Sequence, residues 1–258
     1  MKKVLEKLKE IESGEVGIIV YSQMKQDVLL SLNKDLLVPL ASASKVAIGF
    51  CVAKLVEERH YKWTDVIEGV TFNPKEDSKE VYPHFQSRVN LPLQDAVEVM
   101  IACHDSFVAD RIVQFCGGWE MINDKIKSYF NNINITRNPR DMDNNGELSE
   151  MLELLRLIYQ GYKTNPDLWI PVINGFVRQR SEIEGIPSYY LNNMTGGLDT
   201  VVVDIGIMGE FSGNPLLFIV GAKALPNRFK EKLADEIIID AMKLLYDEYR
   251  NQGVELEN

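Results

Sequence analysis

The segment PLASASKVAIGFCVAKLVEE, residues 39–58, determines how the rest of the chain must be arranged. From Lys45 to Glu58 it is apolar on nearly every helical face, and such a helix is stable only when protein surrounds it. The sequence therefore predicts a buried helix over residues 45–58 at the centre of the protein, with the elements before and after it packed around it.

Strand patterns occur at both ends of the chain, and helical patterns lie between them. Apolar runs separated by turn residues predict two early strands and three late ones, at residues 15–21, 26–32, 188–194, 200–208 and 215–222. Consecutive strands joined by short turns pair antiparallel. The pattern predicts an α+β fold in which both chain ends build one five-stranded antiparallel sheet, flanked by terminal helices, with an all-helical domain inserted.

Apolar residues at helical spacing predict the other helices. They comprise an initial helix with Leu5 and Leu8 on one face, helices over residues 92–103, 106–115, 119–130, 147–162 and 167–182, and a final helix that opens at Pro226 and carries Phe229 on its apolar face. Residues 60–90 are expected to be irregular. The predicted domains are a discontinuous sheet domain, residues 1–35 and 185–258, and a helical domain, residues 36–184.

The charge balance excludes several classes of partner. Lysine and arginine number 28 against 38 acidic residues, which gives a formal net charge of −10. Nucleic acids and anionic membrane surfaces both need clustered cations, so neither is an expected partner. No run approaches the ~20 apolar residues of a membrane span. The charged N-terminal segment lacks an export pattern, so a cytoplasmic location is expected unless an export segment was removed.

Three Ser-x-x-Lys sequences occur, so the motif alone has little weight. Ser42 and Lys45 differ from the other two pairs because they open the apolar helix, where residues three apart share a face. Partial burial lowers the pKa of a lysine and makes it a plausible base toward serine. The helix N-terminus also favours a developing oxyanion. The alternative interpretation is that Ser42 caps the helix and Lys45 is a solvated first-turn residue.

Two further motifs follow in order along the chain. They are His104-Asp105-Ser106 and, on the first returning strand, Met194-Thr195-Gly196-Gly197. Together with Ser42-Ala43-Ser44-Lys45, this order resembles that of the class A β-lactamases and the related penicillin-binding serine enzymes, which carry S-x-x-K, S-D-N and K-T-G. The resemblance covers nearly the whole chain and implies the β-lactamase/transpeptidase-like fold.

The resemblance implies roles for the matching positions. Ser42 would be the acylated nucleophile and Lys45 its activating base. The backbone N–H groups of Ser42 and Gly197 would form the oxyanion hole, with Thr195 and Gly196 beside the substrate. His104 stands where the family has a serine that passes a proton to the leaving nitrogen, and histidine can carry a proton near neutral pH. A histidine packed at a helix junction is the alternative.

Other positions depart from the family pattern. Asp105 would hydrogen-bond backbone to hold its loop, and Ser106 replaces a substrate-contacting asparagine with a shorter donor. Met194 replaces the lysine that recognises the β-lactam carboxylate, so weak penicillin recognition and a less acidic substrate are expected. Tyr82 is placed on an aromatic-bearing loop at the rim, where it could stack on a ligand. Packing between helices is the alternative for Tyr82.

The loop over residues 137–148 lacks the family's glutamate that activates the deacylating water. Asp141, Asp143 and Glu147 are the nearby carboxylates, and the sequence places none of them over the acyl bond, so slow deacylation is expected. Asp141-x-Asp143-x-Asn145 also matches the first half of a calcium loop, but Leu152 occupies the position of the bidentate glutamate. A polar turn is favoured, and no metal or cofactor is predicted.

The favoured function is a β-lactamase-like serine hydrolase that forms an acyl-Ser42 intermediate on a small-molecule amide or ester, with weak or slow β-lactam hydrolysis. One alternative is a non-catalytic binding protein that reuses the fold, because fold does not determine function. The other is a glutaminase-like amidohydrolase, for which the chain is short. The sequence gives no indication of the oligomeric state.

Overall fold

The computed structural model of the protein describes residues 1–179 and 182–254. Its strands are β1 Glu15–Ser22, β2 Asp27–Leu32, β3 Leu37–Pro39, β4 Val66–Glu68, β5 Asn90–Pro92, β6 Ile133–Asn134, β7 Asn145–Glu147, β8 Leu191–Leu198, β9 Val201–Met208 and β10 Leu216–Lys223. Its α-helices are α1 Lys2–Leu8, α2 Ser44–Glu57, α3 Ser78–Val81, α4 Leu93–Ala102, α5 Ser106–Phe115, α6 Trp119–Lys127, α7 Leu148–Thr164, α8 Pro166–Val177 and α9 Leu233–Val254.

The large sheet contains five strands in the order β2-β1-β10-β9-β8, and every neighbouring pair is antiparallel. The central pairing joins the two chain ends, with Ile18 opposite Val220. Strand β8 forms one edge, where Met194 lies opposite Ile205. The predicted α+β fold, with one antiparallel sheet made from both ends of the chain, is therefore confirmed.

Successive side chains along each strand point to opposite faces of the sheet, and both faces of this sheet are apolar. Val20 and Phe218 lie in the cluster that includes α1 and α9, whereas Ile19 and Leu217 lie in the larger cluster with the central helices. Helix α7 contacts β1, β9 and β10 from this second side. The sheet is thus sandwiched between the terminal helices and the helical part of the chain.

Helix α2 is buried on all sides, as its sequence predicts. Every residue from Ser44 through Ala53 is buried, and the helix contacts α4, α6, α7 and α8. This burial fixes the N-terminal end of α2 against the edge of the large sheet, because β8 and β9 both contact the turn that precedes it. The position of Ser42 is therefore set by the core and not by a surface loop.

The elements are distributed as the predicted domains require. The five sheet strands, α1 and α9 fall within residues 1–35 and 185–258, and α2 through α8 fall within residues 36–184. One continuous apolar cluster nevertheless joins α7 to the sheet. The division of the chain into two domains therefore stays a prediction.

The final helix begins later than predicted. It starts at Leu233 and not at Pro226, and Phe229 is exposed and not part of an apolar face. The side chain of Asn227 accepts a hydrogen bond from Phe229 N, which forms a local turn. Arg228 donates to the carbonyl oxygens of Leu198 and Val201 and so ties this turn to the β8–β9 connection.

Smaller differences concern boundaries. The predicted helix over residues 167–182 ends at Val177, and residues 180–181 of that prediction lie outside the described residues. The segment expected to be irregular contains the short elements β4, α3 and β5. The predicted strand at Ser188 begins at Leu191, because Ser188–Tyr190 form a 3-10 turn.

The three cysteines, Cys51, Cys103 and Cys116, are buried among apolar residues. Desolvation raises the pKa of Cys116 to about 12. Among the described residues, none of the helices combines the length and the apolar character needed to cross a bilayer.

Candidate active site

Ser42 lies in a 3-10 turn, Ala41–Ala43, between β3 and the first residue of α2. Ala41 has a positive φ of 46°, which is unfavourable for a residue with a Cβ. Its carbonyl oxygen accepts hydrogen bonds from Ser44 Oγ at 2.8 Å and from the buried Asn144 Nδ2 at 3.1 Å. These contacts hold the strained turn and present Ser42 at the surface of a cleft.

Lys45 lies in the first turn of α2 with its side chain 2% exposed. Its Nζ donates to Ser42 Oγ at 3.3 Å. Desolvation lowers the pKa of Lys45 from 10.5 to about 8, and the charges of Glu76 and Asp105 oppose part of this shift. About one tenth of the lysine is therefore neutral at pH 7, and the neutral amine can accept a proton from the serine.

Ser42 and Lys45 open into a cavity of about 580 Å³. Its lining combines residues from the turn Ala41–Ala43, α2, the start of α5 with the connection before it, β8 and two loops: Ala41, Ser42, Lys45, Asn73, Lys75, Glu76, His104, Ser106, Phe107, Asn138, Pro139, Arg140, Gly197 and Leu198. Of the residues predicted from the sequence, the cavity brings together Ser42, Lys45, His104, Ser106 and Gly197. This set spans three separate regions of the chain.

The edge of β8 can approach the turn Ala41–Ala43 closely because Gly196 has no side chain. A Cβ at Gly196 would overlap the carbonyl oxygen of Leu40 and would lie 3.1 Å from Ala43 N. The neighbouring Gly197 is exposed and lines the cleft beside Ser42. Thr195 points away from the cleft, since its Oγ1 donates to the buried Asp204 Oδ1 at 3.3 Å.

His104 is held by Gln179, a residue that the sequence reasoning missed. Its Nε2 lies 2.8 Å from Gln179 Oε1, while Gln179 Nε2 donates to Ile101 O and to Met194 Sδ. The glutamine oxygen therefore accepts from His104 Nε2, and the neutral histidine keeps its lone pair on Nδ1. Desolvation, followed by the charge of Lys45, lowers the pKa of His104, so the ring is neutral at pH 7.

Met194 is fully buried, and its sulfur is a partner of Gln179. The position where the resemblance implies a lysine thus supplies packing and no charge. Positive charge enters the cleft from elsewhere, because Lys75 and Arg140 are among its lining residues. The cleft therefore has positively charged groups that can attract an anion, although β8 carries no cation at this position.

Asp105 organises the wall of the cleft from a fully buried position. Its carboxylate caps α5 by accepting from Phe107 N at 3.0 Å and Val108 N at 3.1 Å. It also accepts from Asn73 N at 3.0 Å. Asn73 Nδ2 in turn donates to Ser106 Oγ at 3.0 Å, so the loop that contains Asn73 is tied to the start of α5.

Tyr82 does not lie at the rim of the cleft. It is 1% exposed, stacks on Phe85, and donates its hydroxyl to Glu98 Oε1 at 2.8 Å. Tyr82 therefore packs between helices, which was the alternative interpretation. Its aromatic ring contributes to the helical core and its hydroxyl has a partner there. The rim near Ser42 is formed instead by the loop that contains Asn73, Lys75 and Glu76.

The loop over residues 137–148 contributes Asn138, Pro139 and Arg140 to the cleft. Asp141 accepts from Asn138 Nδ2 at 2.8 Å, and Asn145 Nδ2 donates to Met142 O at 3.1 Å, so these side chains are used in local turns. Within residues 1–179 and 182–254, no group of three or more His, Cys, Asp or Glu is arranged to hold a metal ion.

Glu147, the third carboxylate considered from the sequence, bonds to Asn132 and Ser149 and is not among the residues that line the cleft. The carboxylate that does line the cleft is Glu76, which the sequence reasoning did not select. Asn144 was also missed, although it links this loop to the Ser42 turn. Glu76 and Asn144 are polar residues in loops, and nothing in the local sequence pattern distinguishes them.

Comparison with solved structures places this architecture among known folds. PBP-A is 17% identical, with a TM-score of 0.80 and coverage of 97% of each chain. A β-lactamase from Chitinophaga pinensis is 19% identical, with a TM-score of 0.79 over 96% of this chain and 98% of that one. An ancestral class A β-lactamase is 16% identical, with a TM-score of 0.78 and coverage of 96% and 98%.

At such identities the structural likeness defines the fold alone. No curated protein sequence matches this chain significantly. The model of the β-lactamase enzyme family, in contrast, matches residues 1–249. Because this match extends over nearly the whole chain, from α1 into α9, the protein belongs to the β-lactamase enzyme family.

Proposed function

We propose that the protein is a serine hydrolase that forms an acyl-enzyme on Ser42 with a small-molecule amide or ester, and that it turns over β-lactams slowly. The observation that carries this proposal is the 3.3 Å contact between Ser42 Oγ and the Nζ of the buried Lys45, at the edge of a 580 Å³ cleft. Nucleophile and base are within reach of each other, and the cleft gives a substrate access to Ser42.

In the proposed acylation step, neutral Lys45 takes the Ser42 proton while Oγ attacks the substrate carbonyl carbon. The backbone N–H groups of Ser42 and Gly197 stabilise the oxyanion. His104 then accepts at Nδ1 the proton that Lys45 took from Ser42 and passes it to the leaving nitrogen or oxygen, so that Lys45 and His104 are both neutral in the acyl-enzyme. The neutral tautomer fixed by Gln179 supports this role, because Nδ1 can first accept a proton and then donate it.

A structural neighbour also supports an acyl-serine intermediate. A PBP-A variant has been solved as an acyl-enzyme complex with penicillin G, and its chain matches this one with a TM-score of 0.80 at 17% identity. We extend that chemistry to Ser42 as part of the proposal. The charged groups Lys75 and Arg140 in the cleft are suited to a substrate that carries a carboxylate.

Mass spectrometry of the intact protein tests the nucleophile. We expect a fluorescent penicillin and a p-nitrophenyl ester each to add one acyl group to the wild-type protein and none to Ser42→Ala, because the alanine lacks the attacking oxygen. Ser22→Ala, at another Ser-x-x-Lys position, is the matched control and should be labelled like the wild type. A wild-type protein that no reagent labels would favour a binding protein with this fold.

The pH dependence of acylation tests the base. Only neutral Lys45 accepts the serine proton, and its pKa is about 8. We expect the acylation rate constant to rise about tenfold per pH unit below pH 8 and to level off above it. Stopped-flow measurement with the p-nitrophenyl ester, corrected with Ser42→Ala, gives the profile. A rate that is flat between pH 6 and pH 9 would contradict the role of Lys45.

A further inference from the structure

Hydrolysis by an acyl-enzyme needs a second base, which acts on water after acylation. The resemblance to class A β-lactamases places this base in the loop over residues 137–148. The residues of this loop that line the cleft are Asn138, Pro139 and Arg140, and none of them is a carboxylate. Asp141 is exposed and bonded to Asn138, and Glu147 is bonded to Asn132. If the acyl-enzyme is hydrolysed, the base must come from another segment.

Glu76 is the carboxylate residue among the described lining residues of the cleft. It lies on the loop before α3, far in sequence from residues 137–148. This loop is fixed by several hydrogen bonds, since Asn73 N donates to Asp105 Oδ2 at 3.0 Å and Asn73 Nδ2 donates to Ser106 Oγ at 3.0 Å. Asn73 Nδ2 also lies 3.4 Å from Glu76 Oε1, and Glu76 N donates to Asn73 O at 3.1 Å.

The environment of Glu76 is suited to a base. Its side chain is half-buried, and desolvation raises the pKa of its carboxyl group, while the charge of Lys45 opposes the rise. Among the ion pairs of the described residues, none joins Glu76 to Lys45, so their charged atoms are more than 4.0 Å apart. Glu76 and Lys45 therefore line the same cleft as Ser42 and interact electrostatically without forming a direct ion pair.

We propose that Glu76 is the general base of deacylation, a role that rests on the proposed acyl-Ser42 intermediate. Glu76 takes a proton from water as the water oxygen bonds to the acyl carbonyl carbon. Glu76 passes this proton to the neutral Lys45, and Lys45 gives it to Ser42 Oγ as the tetrahedral intermediate collapses and the bond from the carbonyl carbon to Oγ breaks. Glu76 and Lys45 thereby return to their starting states, and the net reaction converts acyl-Ser42 and water into Ser42 and a carboxylic acid.

The substitution Glu76→Gln tests this assignment because glutamine keeps the size of the side chain and an oxygen that accepts from Asn73, but it cannot take a proton. We expect acylation by the p-nitrophenyl ester and by the fluorescent penicillin to stay within about threefold of wild type. The lifetime of the acyl-enzyme, followed by intact mass, should increase at least about 100-fold. Glu80→Gln, at an exposed position on α3, is the control and should have the wild-type lifetime.

The outcomes separate this inference from the proposed function. An adduct that forms on Glu76→Gln and decays at the wild-type rate would overturn the role of Glu76 and leave the acyl-Ser42 intermediate intact. Equal slowing of acylation and deacylation would also overturn it, because Glu76 would then act on both steps through the charge of Lys45. A wild-type protein that never forms an adduct would overturn the proposed function itself and, with it, this role.

Discussion

Replacing Lys45 by methionine is expected to abolish acylation of Ser42 and, at the same pH, to stabilise the protein. The Lys45 amine is nearly inaccessible to solvent, and its pKa falls from 10.5 to about 8 because burial disfavours the charged form. At about 1.4 kcal/mol per pKa unit, burial of the charged amine costs the folded state about 3 kcal/mol. Methionine has a similar shape and no charge to desolvate.

The stability gained by Lys45→Met should depend on pH, because the folded and unfolded states release the Lys45 proton at different pH values. Between about pH 8 and pH 10.5 the unfolded chain holds a proton on Lys45 that the folded protein has released, so stability rises with pH across this window. Below about pH 8 both states hold the proton and the full cost is present. The gain from Lys45→Met should therefore be largest at pH 7, at about 1–3 kcal/mol after loss of the Ser42 hydrogen bond, and should shrink toward pH 10.

Urea unfolding at pH 7 and pH 10 measures the gain, and intact mass after exposure to the ester measures acylation. Lys79→Met, an exposed lysine on α3, is the matched control and should change stability by less than about 0.5 kcal/mol at either pH. A Lys45→Met protein that is less stable than wild type at pH 7 would show that favourable interactions of the Lys45 amine outweigh the cost of burying its charge. Retained acylation would contradict its role as the base.

Much of this fold was predictable because the sequence patterns and the tertiary structure agree. The all-round apolar character of residues 45–58 predicts a surrounded helix, and α2 is one. The short connections between late strands predict antiparallel pairing, which the sheet contains. The start of α9 was not predictable in the same way, because Pro226 resembles a helix start while tertiary contacts of Arg228 hold the following residues in a turn.

Part of the candidate site was likewise predictable from local sequence, and part depends on tertiary structure. Ser42 and Lys45 are three residues apart on one helical turn, so their contact follows from local geometry. Glu76 lines the cleft and Gln179 contacts His104 behind it, and only the complete fold brings these two residues to the site. The position of Tyr82 was ambiguous, because an aromatic residue on a loop can stack on a ligand or fill a core, and burial decides in favour of the core.

The substitution Asp105→Ala is expected to destabilise the protein by about 2–4 kcal/mol and to lengthen the life of the acyl-enzyme. One fully buried carboxylate accepts from the backbone of Phe107, Val108 and Asn73. Removing it takes away the N-terminal cap of α5, worth about 1 kcal/mol, and leaves the buried N–H groups without their acceptor, at about 1–3 kcal/mol.

The functional effect of Asp105→Ala follows from the loop that it releases. The hydrogen bond from Asn73 N to Asp105 fixes the loop that carries Glu76. Ser42 is held independently by the turn Ala41–Ala43, and Lys45 by α2. Deacylation should therefore slow more than acylation. Asp105→Asn keeps one oxygen for the cap but has an amide group in place of the other, so we expect about half of the loss in stability. Urea unfolding and the decay of the adduct by intact mass give both quantities. An Asp105→Ala protein within 1 kcal/mol of wild type would show that this carboxylate does not hold the cleft wall together.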